Sequence, residues 1–288
     1  MRVTLLAVGL WAGVSTVSQA QTCKPGKESN EADLFAHYSV PLAYSIGRGP
    51  SLQRPGTITF SLEGTYLPDP SDEIATPTTC RPGKGPENTG ILPGFIRPRV
   101  EFALVHGTFI EVSWDPPIRV KGVKPNLWGF ALGRSTLINH STLLTGRIHA
   151  LIGSIHAPFT CPESALDDPA SECFDGKESD DKYAPNIFGV ELGLGWALMG
   201  GRFRPYIGTG YNILHPRFQV NFTRADGSVD HQKVEVNMSR LVAMGGATFL
   251  FSERFSISSE VYSAPSDAVT GRVRLSYAWG KYANPAGR

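Results

Sequence analysis

The sequence predicts an all-β fold, an antiparallel up-and-down transmembrane β-barrel of about ten strands with disulfide-tied extracellular loops. Three observations carry that expectation. Apolar and polar side chains alternate with a period of two along most of the chain, the connections alternate between short and long, and acidic and basic residues are nearly balanced on the polar face. Successive strand side chains point to opposite sides of a sheet, so the alternation separates an apolar face from a polar one.

The N-terminal end sets the compartment. Arg2 supplies a positive charge, residues 3–17 are apolar, and Ser18-Gln19-Ala20 places small residues where a signal peptidase reads. Residues 1–20 therefore read as a cleaved signal peptide; the apolar run is too short for a membrane helix. Gln21 and Thr22 stand before Cys23, which argues against a lipoprotein. No later stretch approaches the ~18 apolar residues a spanning helix needs. A net charge of +1 implies no nucleic-acid partner, and charged residues make up 18% of the chain, below the share of about 25% usual in soluble domains. The 31 glycines and 22 prolines disfavour long helices.

Four cysteines, Cys23, Cys80, Cys161 and Cys173, read as two disulfides in an exported chain. Cys161 and Cys173 share one loop-like segment. Cys23 and Cys80 share a local pattern, Thr-Cys-Lys-Pro-Gly-Lys and Thr-Cys-Arg-Pro-Gly-Lys, which favours pairing them. The closer spacing of a metal site is absent, and no cofactor is implied.

The expected strands run as follows. In 57–67, Ile58, Phe60, Leu62 and Tyr66 alternate with Thr57, Thr59, Ser61, Glu63 and Thr65. In 96–105, Val100, Phe102 and Leu104 alternate with Arg99, Glu101 and Ala103; in 108–116, Ile110, Val112 and Trp114 alternate with Glu111, Ser113 and Asp115. Strands 126–134 and 142–156 follow, then 186–199, where Phe188, Val190, Leu192 and Leu194 face away from Glu191. Asp226-Gly227 marks a hairpin between the long runs 202–224 and 229–251. Strands 254–263 and 271–281 complete the set, the last with Val273, Leu275, Tyr277 and Trp279 opposite Arg272 and Arg274. His106-Gly107, Gly200-Gly201 and Ser252-Glu253 are tight joints, whereas 68–95, 117–125, 157–185, 225–228 and 264–270 carry most of the Pro, Cys and charge. Short turns on one side and longer loops on the other characterise membrane barrels. Tyr66, Trp114, Trp128, Trp196, Tyr211, Tyr262, Trp279 and Tyr282 fall near strand ends, where interfacial girdles sit.

A soluble β-sandwich would show the same alternation. The polar face favours the barrel: Glu63, Glu101, Glu111, Glu191 and Glu260 share it with Arg99, Arg147, Arg202, Arg204, Arg272 and Arg274. Enclosed charges must be paired, and this set would meet across a narrow lumen. His149 should join it near Arg147 and Glu191 as a network histidine.

The stretch from Gly193 to Tyr211 (GLGWALMGGRFRPYIGTGY) and that from Gly245 to Tyr262 (GGATFLFSERFSISSEVY), with the terminal strand after them, resemble the hairpins of small Gram-negative outer-membrane barrels. The resemblance is to the broad superfamily of OmpA-like and opacity-type barrels and covers roughly residues 186 to 282. It implies an outer-membrane location, contact with lipid and lipopolysaccharide, and recognition by the barrel-assembly machinery. That machinery usually reads a terminal aromatic residue; here Tyr282 is followed by a tail, 283–288.

Residues 57–282 are thus expected to form the barrel, and 21–56 an N-terminal arm, plug or extra strand. Ser39 to Ile46 alternates partially but contains Pro41. If residue 21 starts in the periplasm, Cys23 cannot reach an extracellular Cys80 outside the barrel. Either the arm threads the lumen, an added strand within 36–48 changes the count, or the cysteines pair otherwise. The adjacent His140 and Ser141 point apart and make no catalytic pair. The acidic loop from Glu163 to Asp181 lacks the ordered ligand spacing of a calcium site and suits a solvated, lipopolysaccharide-facing surface. The leading functional expectation is non-enzymatic: a structural or surface-recognition barrel with a charge-plugged lumen and an unidentified surface ligand. A small passive pore for polar solutes and an outer-membrane hydrolase are the alternatives.

Overall fold

The computed structural model describes residues 22–280; the expected signal peptide, Tyr282 and the tail 283–288 lie outside the described residues. Ten strands form the barrel: β1 (Ile58–Tyr66), β2 (Gly94–Ala103), β3 (Thr108–Asp115), β4 (Lys124–Leu137), β5 (Thr142–Ala157), β6 (Ile187–Trp196), β7 (Phe203–Leu214), β8 (Met238–Leu250), β9 (Phe255–Ala264) and β10 (Ala268–Trp279). Each pairs antiparallel with its sequence neighbour, and β10 closes the ring on β1, with Leu275 opposite Leu62. Closure leaves no free edge among these ten, so the ladder satisfies the backbone without help from solvent.

The exterior is apolar and the interior charged. On β6, Val190 and Leu192 are 52% and 56% exposed while Glu191 between them is 1% exposed. Phe60, Leu62, Ile110, Val273 and Leu275 are likewise exposed, whereas Glu63, Glu111 and Arg274 are buried. This inverts the arrangement of a water-soluble protein and fits a barrel whose outer solvent is hydrocarbon. Trp114 and Trp128 stack at 5.4 Å on the outer face of β3 and β4. Tyr262, expected in an interfacial girdle, is instead buried inside and receives a 2.8 Å hydrogen bond from Asn212. It follows Val261 on β9, so strand parity turns it inward.

Connections 104–107, 138–141, 197–202 and 251–254 lie at one end, with the longer 67–93, 158–186 and 215–237 at the other. The expected long runs around Asp226-Gly227 are interrupted. Barrel strands end at Leu214 and resume at Met238; beyond Pro216, Arg217–Gln219 pairs with Lys233–Glu235 and Phe222–Thr223 with Val229–Asp230. Asp181–Ala184 joins this projecting sheet, as does Thr22–Cys23. Both disulfides sit at this end, Cys23–Cys80 and Cys161–Cys173.

The N-terminal arm begins beside the long loops and leads through the barrel, which resolves the conflict over Cys23. Residues 36–48 add no strand. A helix, α1 (Asn30–Leu42), fills the long-loop end, and residues 43–53 descend through the lumen towards the short turns. Ser29 caps α1 by accepting a hydrogen bond from the Ala32 N–H, and Glu31 and Asp33 occupy its first turn, where carboxylates suit the helix dipole. Pro41 falls in the last turn, where one lost donor is tolerable. The inner side of α1 packs Ala32, Phe35, Ala36 and Val40 into an apolar cluster with Tyr183, Ile187, Leu214 and Val234.

Glu31 ties α1 to the Cys80 loop, its carboxylate accepting the N–H groups of Thr79 at 2.8 Å and Cys80 at 2.7 Å. Burial alone would raise its pKa, but the N–H groups of Cys80 and Thr79, together with hydrogen bonds from its own N–H and from Ser29, hold the carboxyl below the ordinary 4.5. Its contribution to stability is therefore complete above about pH 4.5 and lost as pH falls through the lowered value. Replacing Glu31→Gln should loosen the Thr78–Lys84 segment by about 1–3 kcal/mol at neutral pH. Limited proteolysis of that segment in detergent should show the gap between the two proteins closing as pH drops below 4.5.

Candidate functional site

The candidate site is the barrel interior, where strand parity delivers a set of arginines and carboxylates to the descending arm. Glu63 (β1), Arg99 and Glu101 (β2), Glu111 (β3), Arg147 and His149 (β5), Glu191 (β6), Arg204 (β7), Glu260 (β9), and Arg272 and Arg274 (β10) are all buried inside. Arg202 is the exception. It is exposed in the 197–202 turn, where Gly200 and Gly201 adopt positive φ and break the strand alternation that would have turned it inward.

Glu111 is the hub. Its carboxylate receives Arg274 Nη2 at 2.6 Å and Arg147 Nη1 at 3.2 Å, and lies 3.3 Å from Arg99 Nε. Arg99 also pairs with Glu63 at 2.5 Å, and Arg147 with Glu191 at 2.7 Å. Glu260 approaches Arg272 at 3.5 Å and accepts from Tyr206 Oη at 2.9 Å and Ser45 Oγ at 2.5 Å. His149 Nε2 stands 3.7 Å from Glu191 Oε1, beyond hydrogen-bond length.

The strand arginines also serve the arm. Arg272 Nη2 donates to the Val40 and Pro41 carbonyls at 3.1 Å each, Arg97 Nη2 to Leu42 at 3.2 Å, Arg99 Nη2 to Ser45 at 2.7 Å and Arg274 Nη1 to Ile46 at 3.2 Å; Arg147 Nη2 donates to the Tyr44 carbonyl. The last turn of α1 and the extended segment after it carry carbonyls without a ladder partner that must be satisfied. Six are met by guanidinium donors, those of Val40, Pro41 and Leu42 at the helix end and those of Tyr44, Ser45 and Ile46 beyond it. The Tyr44 ring lies among three of these arginines, with the Arg99 guanidinium 4.0 Å and that of Arg147 5.2 Å from its centroid.

Small residues make the passage possible. Gly47 has φ +64°, and a Cβ there would stand 2.7 Å from Glu63 and 2.8 Å from Arg99. On the barrel wall, Gly129 lies against Tyr44, and Gly195 against Pro50. Further down, Arg48 pairs with Glu101, which also accepts Gln53 Nε2 at 2.8 Å.

Among the participants outside the set expected from sequence are Arg48, Tyr44, Arg97 and Asp115. Arg97 and Asp115 pair at 3.1 Å, and their signal was present, since each lies an even number of residues from a recognised inward neighbour. Arg48 and Tyr44 carried no periodic signal because the arm is neither strand nor, at that point, helix. His140 and Ser141 sit in an exposed turn. The acidic loop is dispersed: Asp181 is buried, accepting the N–H groups of Thr160 and Asn221, and Asp180 pairs with Arg119 at 3.0 Å.

Removing one member of such a network strands the others in a site without water. Glu111→Gln should destabilise the barrel by about 3–5 kcal/mol, seen as a lower temperature for loss of the compact gel band in detergent. A change within error would show that the hub is dispensable.

No family model matches the chain, and no curated protein does. Among solved structures it is similar to Ail, the attachment invasion locus protein of Yersinia pestis, at 13% identity and a TM-score of 0.32, covering 80% of this chain and 99% of that one. It is also similar to the translocator domain of the autotransporter NalP from Neisseria meningitidis (11% identity, TM-score 0.34, 78% of this chain and 88% of that one). The Pseudomonas putida toluene transporter TodX matches at 9% identity and a TM-score of 0.33, over 81% of this chain and 74% of that one. At these values the likenesses carry no argument about activity, and the fold rests on the chain's own closed ladder of ten antiparallel strands.

Proposed function

We propose that the chain is an exported outer-membrane barrel, released from its signal peptide at residue 20. Its role is structural or surface-recognition, its lumen is blocked, and its disulfide-tied long loops face the cell exterior. In this reading the apolar wall contacts membrane lipid, the long loops contact lipopolysaccharide, and the barrel-assembly machinery inserts the chain. The observation that carries the closed-lumen reading is the arm itself: residues 43–53 descend through the barrel, and strand arginines hold six carbonyls between Val40 and Ile46, three in the last turn of α1 and three in the descending segment.

The burial of the charges supports the same reading over a passive pore for polar solutes. A conducting wall is wetted, whereas Arg97, Glu63 and Arg99 are 0%, 0% and 1% exposed. A hydrolase would need a reactive group that substrate can reach, and His149 is enclosed with Arg147 and Glu191. Purified protein in planar bilayers should give no steady single-channel conductance. A reproducible open level in the wild type would overturn the blocked-lumen reading and favour the pore. Recovery of a water-soluble periplasmic protein on fractionation would remove the membrane placement altogether.

A further inference from the structure

The long-loop end contains an apolar cavity that the lumenal network does not use. It lies where α1 meets the short helix α2 (Asp72–Ala75), the 67–92 segment and the projecting sheet, and its volume is about 130 Å³. Leu34, Phe35, Ile74, Ile91, Phe159 and Phe218 are among its walls. An engineered apolar cavity of about 150 Å³ stays dry and takes up benzene, so the space here suits one ring or an alkyl group of similar bulk.

The polar groups at its margin are engaged, with one exception. Tyr38 Oη donates to the Thr89 carbonyl at 2.9 Å, Glu31 accepts from Thr79 and Cys80, and Glu87 pairs with Lys84. Arg81, whose side chain is 10% exposed, lines the same cavity and donates through Nη2 to Glu172 at 2.6 Å, with Asp230 at 3.5 Å. Its Nη1 is buried with no acceptor among the described residues. A buried donor without a partner costs free energy that a ligand acceptor would return. Arg81 shares Glu172 with Lys84 and Asp230 with Arg224, and Lys84 also pairs with Glu87, so these three cations already meet three carboxylates, and Glu31 borders the cavity as well. The missing partner is therefore an oxygen without charge: a carboxylate would add a negative group to a set with no cation to spare.

We propose that this cavity is a binding site for a small, uncharged, apolar molecule with one acceptor oxygen, such as an aryl or alkyl ketone, its apolar body among the α1 and Phe159 side chains and its oxygen on Arg81 Nη1. The proposal is independent of whether the lumen conducts, and its readout is separate from conductance.

Three matched probes test it by fluorine NMR, with the full mature protein in lipid nanodiscs and empty nanodiscs correcting for partition into the bilayer. They are 4-fluoroacetophenone, fluorobenzene and 4-fluorobenzoate. The ketone should bind saturably and roughly tenfold more tightly than fluorobenzene, the margin of one hydrogen bond from a charged donor, and the benzoate should bind weakest. Arg81→Met should bring the ketone down to the level of fluorobenzene while leaving the latter's affinity unchanged. Ala75→Trp, which fills the space from a buried position, should abolish saturable binding of both; should that variant fail to fold, Ile74→Trp is read the same way. Absence of saturable ketone binding, equal affinity of ketone and fluorobenzene for the wild type, or full binding by a folded tryptophan variant would each overturn the proposal.

Discussion

Six backbone carbonyls in a segment that belongs to no sheet set the terms for this molecule. Val40, Pro41, Leu42, Tyr44, Ser45 and Ile46 lie inside the barrel, away from water, with no neighbouring strand to supply N–H groups. Five arginines projecting from β2, β5 and β10 supply the donors. Each guanidinium has five N–H groups in a rigid fork and can meet a carbonyl with one arm and a carboxylate with another. Lysine, with a single ammonium point, would not bridge the arm and the wall in the same way. The lumen thus needs more than neutrality; it needs donors in excess of what its carboxylates consume.

Once those donors are in place, the carboxylates follow. Glu63, Glu111 and Glu191 compensate charges that could not be buried alone. A buried ion-pair lattice of this kind adds little net stability compared with an apolar filling of the same shape. What it contributes is geometry: the arm can occupy the lumen in one register, because each of the six carbonyls meets a particular guanidinium, Arg272 taking both Val40 and Pro41, and only a glycine at position 47 fits between Glu63 and Arg99. The outer wall faces the opposite demand, and the same alternating strands meet both by presenting leucine, valine and phenylalanine outwards.

Above the charged layer the filling changes character. α1 carries phenylalanine, alanine and valine into an apolar cluster with the strand extensions, and the Cys23–Cys80 bridge pins the start of the arm to the loop after β1. Glu31 reinforces that junction through the backbone of Thr79 and Cys80. The arm is therefore held at both ends of its course, by a covalent link and an apolar pack at the long-loop side and by Arg48 and Gln53 on Glu101 towards the turns.

Strand order and the number of barrel strands were legible in the sequence, because a strand imposes a period of two and each side meets a different solvent. Glu191 between Val190 and Leu192 announces its direction from three residues alone. The repeated motif around Cys23 and Cys80 favoured their pairing, but the connectivity stayed open until the structure joined them. Parity fails wherever the backbone leaves the strand, as at Arg202 after the positive-φ glycines. It also says nothing of the arm, where Ser29, Glu31 and Asp33 announce a helix start that Pro41 and a partial alternation obscured. Only the tertiary structure decided that 43–53 passes through the lumen, and so that Arg48 and Tyr44 join a network built by strands far along the chain. A buried, unladdered segment is held by partners far along the chain, from 48 residues away for Gln53 and Glu101 to 232 for Val40 and Arg272, and no local pattern records them.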